Sequence, residues 1–252
     1  MSQTQGFEAG KVKIIREAEA LGFNYRGEKF WAVKPIYGPD NYANVGSAIE
    51  RDGLLKPSFG MTIAYAHPAF LPLMSKGVQD TEDAKHVRDT IQNGLLWTFT
   101  SADYREGKGC FFYEEDDRND FMKLSTKELE ERLGKIEENK AISSDDGRLR
   151  FAPFGTYKTG ILDLDELAKS SYVTAQASGA EQSGLTAEIA STFKYKPRLW
   201  ALEAVNGQAT RTVSLYSSGY LGGRLFVGGY DRGDVRDGFA FGVSRTGEAS
   251  QQ

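Results

Sequence analysis

His67, His86 and Cys110 are the only histidines and the only cysteine in 252 residues. A lone cysteine rules out an intrachain disulfide and a cysteine-rich zinc site. The histidines stand 19 residues apart, with no partner at metal-ligand spacing, so they read as ordinary surface or core side chains. Cys110 sits in the apolar run GCFFY and reads as a buried strand residue. Two acidic groupings remain. Glu114-Glu115-Asp116-Asp117 follows that run and reads as a solvated loop. Asp231, Asp234 and Asp237 in YDRGDVRDG invite a calcium site, but a calcium-binding EF-hand loop alternates its acids and closes on Glu, and neither feature is present. The Arg232-Gly233-Asp234 triplet is too short to carry a function. No nucleophile elbow, phosphate-binding glycine loop or His-Glu-x-x-His occurs. The expectation is a non-enzyme with no catalytic residues, no metal and no cofactor.

The elements that would carry these residues are mixed. Phe30 to Ile36 reads as a strand closed by the turn-rich YGPDNY. Asp80 to Asn93 reads as a helix, with an acidic first turn, Val87 and Ile91 four apart, and Gly94 as a stop. Leu95–Tyr104 and Gly109–Glu114 read as a hairpin. Ser125 and Glu128 have capping-box spacing before a helix with Leu129, Leu133 and Ile136 on one stripe. Leu149–Thr156 reads as a strand after the turn Asp145-Asp146-Gly147. Asp163–Lys169 and Leu185–Phe193 read as short helices, with Pro197 ending the second. Leu199–Val205 is strand-like, and nothing after it is helical. No internal repeat or long linker appears, so residues 1–252 are expected to form a single domain of the α+β class.

Composition narrows the partners. Net charge is −4 with acids and bases interspersed, so no basic stripe follows a phosphate backbone and nucleic acid is not expected. No apolar run approaches the roughly 20 residues needed to span a bilayer. The start MSQTQGFEAGKVKII has no charged leader and apolar core, which points to the cytoplasm; export or surface display by another route stays open. Oligomeric state is undetermined, and a monomer fits.

The stretch Thr212–Arg245 departs from the rest. Lys, Glu, Gln, Met and Trp make up 51 of the 252 residues, so a 34-residue window should hold about seven, yet this one holds none. Its seven charges are all Arg or Asp, and eight residues are Gly. Glycine-rich strands and turns account for part of this, but solvent-facing strand positions ordinarily admit Lys or Glu. The genetic code accounts for the remainder. Randomising both adenines of an AAC codon reaches Tyr, Ser, Gly, Asp, Arg, Val, Leu and Phe, and cannot reach the five missing types.

Adenine-directed rewriting of a C-terminal segment marks diversity-generating retroelements. RLWALEAV (Arg198–Val205), TVSL, RLFVGG and DGFAFGVS resemble the C-terminal half of their variable proteins, the archaeal type in particular. The resemblance covers about Phe151 to Ser244. It implies a C-type lectin fold of the formylglycine-generating-enzyme subgroup. The calcium-ligand motifs Glu-Pro-Asn and Trp-Asn-Asp are absent, and one cysteine cannot supply the subgroup's active-site pair. The implied function is therefore display of a variable surface, residues 212–245, to a macromolecular ligand, a protein foremost.

The binding residues expected from this reading are Tyr216, Ser217, Ser218, Tyr220, Gly222, Gly223, Arg224, Phe226, Gly229, Tyr230, Asp231, Arg232, Asp234 and Arg236. Tyrosine offers amphipathic contact at low entropy cost, Ser and Gly adapt, and Arg anchors acids or rings, the composition of antibody paratopes. Val213, Leu215, Leu225, Val227, Ala240, Phe241 and Val243 are expected to be scaffold. Two rival readings stay open: an enzyme with different chemistry on the same fold, and a structural or phage-appendage module.

Overall fold

A computed structural model describes residues 20–134, 141–217, 223–230 and 237–245. The first half runs β1 (Ala20–Tyr25), β2 (Glu28–Asp40), α1 (Tyr42–Arg51), α2 (Phe59–Met74), α3 (Glu82–Asn93), β3 (Leu95–Arg105), β4 (Gly109–Glu114), α4 (Arg118–Phe121) and α5 (Thr126–Leu133). The second half runs β5 (Ile142–Ser143), β6 (Arg150–Pro153), β7 (Gly160–Ile161), α6 (Leu164–Lys169), α7 (Ser171–Gln176), α8 (Ala180–Ser191), β8 (Tyr195–Trp200), β9 (Gln208–Tyr216), β10 (Arg224–Tyr230) and β11 (Gly238–Arg245). The fold class is α+β.

The strands form one sheet in the order β1-β2-β11-β3-β9-β10-β8-β7, with β4 joining β3 to β6 and β5 beyond β6. The last strand thus lies between the second and third, and residues from both ends of the described chain share a sheet. β3 is the hinge of this plan. Its first residues pair with β11 and its second half with β4, while β9 runs along its other edge with a register shift between Trp97 and Ser101. All 11 residues of β3 are buried, as a strand covered on both faces must be.

Paired residues point to the same side of a sheet, so the register sorts side chains into rows. One row crosses β3, β9, β10 and β8 as Leu96, Leu215, Val227 and Leu199. Every one of them is buried in the main core, with Phe59, Ile63 and Phe70 of α2 and Ile91 of α3. The rows on either side point the other way. There α1 lays Tyr42, Val45 and Ile49 over Leu95, Trp97 and Ala240, with Tyr42 edge-on to Trp97 at 5.6 Å. A third cluster sets Leu129 and Leu133 of α5 against Phe111, Tyr113 and Phe151.

Local chemistry explains most boundaries. The capping box at Ser125 forms in full, and Gly134, at φ 70°, ends α5. Ile136, expected on the same stripe, lies outside the described residues. Two long helices escape the sequence reading. In α1, Asn41 caps the Asn44 amide at 2.9 Å where YGPDNY suggests only a turn. In α2, Ser58 caps Met61 at 3.1 Å, and the helix continues through Pro68 and Pro72, residues that ordinarily break one. Tertiary burial of Phe59, Ile63, Ala66 and Phe70 outweighs the lost backbone bonds. β8 also begins earlier than expected, places Pro197 inside the strand rather than at a helix end, and stops at Trp200.

Candidate functional site

The C-terminal stretch supplies three strands and the connections between them. Val213, Leu215, Leu225 and Val227 are fully buried, as are Ala240, Phe241 and Val243 to within 2%. The glycines of RLFVGG and DGFAFG serve close approach. A Cβ at Gly228, whose φ is +136°, would overlap the Trp200 carbonyl across the parallel β8–β10 pair, and one at Gly238 would overlap the Trp97 indole. That indole donates to the Asp40 carbonyl at 3.2 Å.

The register also says where the connections attach. Tyr216 pairs with Leu95 and with Phe226, and Gly238 pairs with Leu95 from the other side. The connection from β9 to β10 therefore leaves and re-enters at the Leu95 end of the sheet. The connection from β10 to β11 finishes there too. Two separate stretches of chain are thereby delivered to one end of one sheet.

Seven of the fourteen expected binding residues lie outside the described residues: Ser218, Tyr220, Gly222, Asp231, Arg232, Asp234 and Arg236. Tyr230 ends β10. Tyr216 is half-buried, with its ring 5.9 Å from that of Phe226. Gly223 and Arg224 are half-buried where the chain re-enters β10, and the Arg224 guanidinium lies 5.9 Å from the Tyr195 ring. Three expected positions are corrected, because they are buried instead of displayed. Ser217 is fully buried with its amide on the Gly94 carbonyl at 3.2 Å, Phe226 is 9% exposed beneath Tyr216, and Gly229 is buried between paired strands. The physical reason is that β9 extends its pairing to Tyr216, so the adjoining residues are held in the ladder.

Sequence reasoning passed over the neighbour strand. In β8, Tyr195, Lys196, Arg198 and Trp200 are exposed while Pro197 and Leu199 are buried. Across β10, β8 and β7 the row Phe226, Arg198, Ile161 grows more open toward the edge, from 9% at Phe226 to 55% at Ile161. The alternation in YKPRLW was the available signal.

The acidic run is also corrected. It is not a solvated loop. Glu114 accepts from Thr100 Oγ1 and Arg150 Nη2, both at 2.7 Å, and Glu115 accepts from Tyr42 OH at 3.0 Å and Ser101 Oγ at 3.1 Å. Asp116 meets Lys56 at 2.8 Å, and Asp117 meets Arg148 at 2.5 Å. The pairs Glu114–Arg150, Asp116–Lys56 and Asp117–Arg148 line a cleft of about 380 Å³ beside Arg26 and Arg245. Arg245 is the last residue of β11, so the cleft lies toward the opposite end of that strand from Gly238.

Cys110 is fully buried, and that burial, followed by the charge of Asp103, pushes its thiol well above the usual range, so it stays protonated. His67 meets Glu188 at 2.7 Å and links α2 to α8. Among the described residues no three His, Cys, Asp or Glu side chains converge as metal ligands, and no helix is long and apolar enough to cross a membrane.

No protein-family model matches the chain, and no curated protein matches it by sequence. A solved structure described as "Accommodation of massive sequence variation in Nanoarchaeota by the C-type lectin fold" is similar to it at a TM-score of 0.49 and 11% identity, covering 90% of this chain and 98% of that one.

Proposed function

We propose that this chain is a non-enzymatic binding protein, a C-type-lectin-like variable protein of a diversity-generating retroelement. It presents the Leu95 end of its sheet, with the connections at 218–223 and 231–237, to a macromolecular ligand. A protein is the ligand class that suits a surface of Tyr, Ser, Gly, Asp and Arg. The observation that carries the reading is a coincidence of two independent patterns. The stretch that lacks every residue type unreachable from AAC is also the stretch whose apolar anchors are buried, whose β9–β10 connection leaves and re-enters at one end of the sheet and whose β10–β11 connection finishes there. A scaffold of that kind tolerates rewriting between its anchors, because the energy of folding lies in the strands.

Sequencing many copies of the gene from one population, with its flanking DNA, tests this. Substitutions should be confined to AAC-derived codons between residues 212 and 245, beside a reverse-transcriptase gene and an adenine-matched template repeat. Substitutions spread evenly along the chain would sink the reading.

A further inference from the structure

The strand that borders the candidate face lies outside the compositionally distinct window, so on the reading above it stays constant while its neighbours change. Its exposed side chains are of a particular kind. Tyr195 is 43% exposed and Trp200 44% exposed, with Arg198 exposed between them in the same strand. Lys194, immediately before the strand, places its ammonium 5.1 Å from the Tyr195 ring centroid, and Arg224 approaches that ring as well.

Among the described residues, most of the charge in this patch is uncompensated. Lys196 is matched by Asp163, and Glu203 is engaged by the Thr159 hydroxyl and amide. Among the described residues no carboxylate pairs with Lys194, Arg198 or Arg224, although the rest of the surface ties most of its bases to acids. The Arg224 Nε is buried and has no hydrogen-bond partner among the described residues. A chain of net charge −4 thus carries a local cationic patch faced with aromatic rings.

We propose that Lys194, Tyr195, Arg198 and Trp200 form a constant platform that selects acidic protein surfaces. This rests on the binding reading above and specifies the partner's chemistry. Arg, Tyr and Trp are the residues that dominate protein–protein hot spots, and unpaired rim charges steer complementary partners and repel like-charged ones. One feature favours an acidic protein over a nucleic acid: the three cations left without a carboxylate among the described residues, on a short strand and its neighbours, are too few to follow a phosphate backbone.

The test is a display library of the full chain, with residues 218–223 and 231–236 randomised through NNC codons, built on the native sequence and on the K194E/R198E double variant. Each library is selected against α-lactalbumin, against lysozyme (similar in size, opposite in charge) and against a single-stranded oligothymidylate. The native library should yield roughly ten-fold more binders to the acidic probe than to the basic one, and the charge-reversed library should lose or invert that preference. Both substituted side chains are exposed, and a K194S/R198S library, which should lose the preference without inverting it, guards against a folding defect. Equal yields on both proteins, a preference that survives charge reversal, or oligothymidylate as the favoured probe would each overturn the platform while leaving the binding reading intact. A native library with no binders to any probe would remove the binding reading itself.

Discussion

The C-terminal stretch and the acidic run Glu114–Asp117 invite opposite readings from sequence, and the folded chain revises both. By composition the C-terminal stretch displays the residues between its buried apolar anchors, yet Ser217, Phe226 and Gly229 are buried along with those anchors. By composition the acidic run is a solvated loop, yet its four carboxylates are tied to Thr100, Tyr42, Lys56, Arg148 and Arg150 from distant parts of the chain. A stretch that stands out by composition is one whose residues share a local history or role. A stretch whose side chains converge with others is recognisable only by its partners. Composition therefore reports what kind of segment this is, and register reports which of its residues can be reached.

Substitutions can strain this contrast. The largest expected effect is at Trp97, which is fully buried between α1 and the Gly238 turn-in of β11. Trp97→Ala should cost about 4 kcal/mol in urea unfolding, and a loss under about 1 kcal/mol would show that the candidate face is not held from below. Gly228→Ala comes next. A side chain at φ +136° against the Trp200 carbonyl should cost about 3 kcal/mol, whereas substitutions at Tyr220 or Gly222 should not.

Arg150→Met probes the other region. The Arg150 side chain is 3% exposed and meets the Glu114 carboxylate, 29% exposed, so removing the cation should cost about 2–3 kcal/mol. A cost near zero would return the acidic run to the status of a solvated loop. Smaller still is Ser125→Ala, which removes half of the capping box that starts α5 and should lower Tm by about 3 °C. The Glu128 carboxyl is held below its ordinary value, first by the Ser125 hydroxyl and then by the Ser125 amide. Its contribution is therefore complete above the unfolded value of about 4.3 and disappears as pH falls through the lower folded value. The gap between Ser125→Ala and the native chain should accordingly be widest near neutrality and narrow on acidification, the Glu128 amide bond to Ser125 Oγ remaining at all pH. A gap that widens in acid would contradict the cap. The smallest effect is expected where rewriting is proposed: Gly/Ser replacement across 218–222 should change unfolding free energy by less than about 0.5 kcal/mol. A large loss would make that connection part of the scaffold.

Much of the architecture was legible because it is encoded locally. The hairpin of β3 and β4, the helix ending at Asn93, the Ser125 cap and the apolar anchors of β9 to β11 all follow from short-range period and capping chemistry. The helix Phe59–Met74 was hidden because its prolines signal a break, and only packing against the sheet overrides that signal. The exposed side chains of β8 were hidden for a different reason: their importance comes from lying beside β10, a parallel neighbour reached across a long loop of sequence.

The sequence by itself determined the α+β class, the strand anchors of the C-terminal region and the missing residue classes within it, since each depends on residue type and near-neighbour spacing. Only the tertiary structure decided which of the C-terminal residues are sealed in the sheet, that the acidic run is paired, and that a cationic, aromatic strand borders the candidate face. Those are matters of which strand lies next to which. Pairing between distant segments is set by the burial of whole faces at once, and no short stretch of residues contains that information.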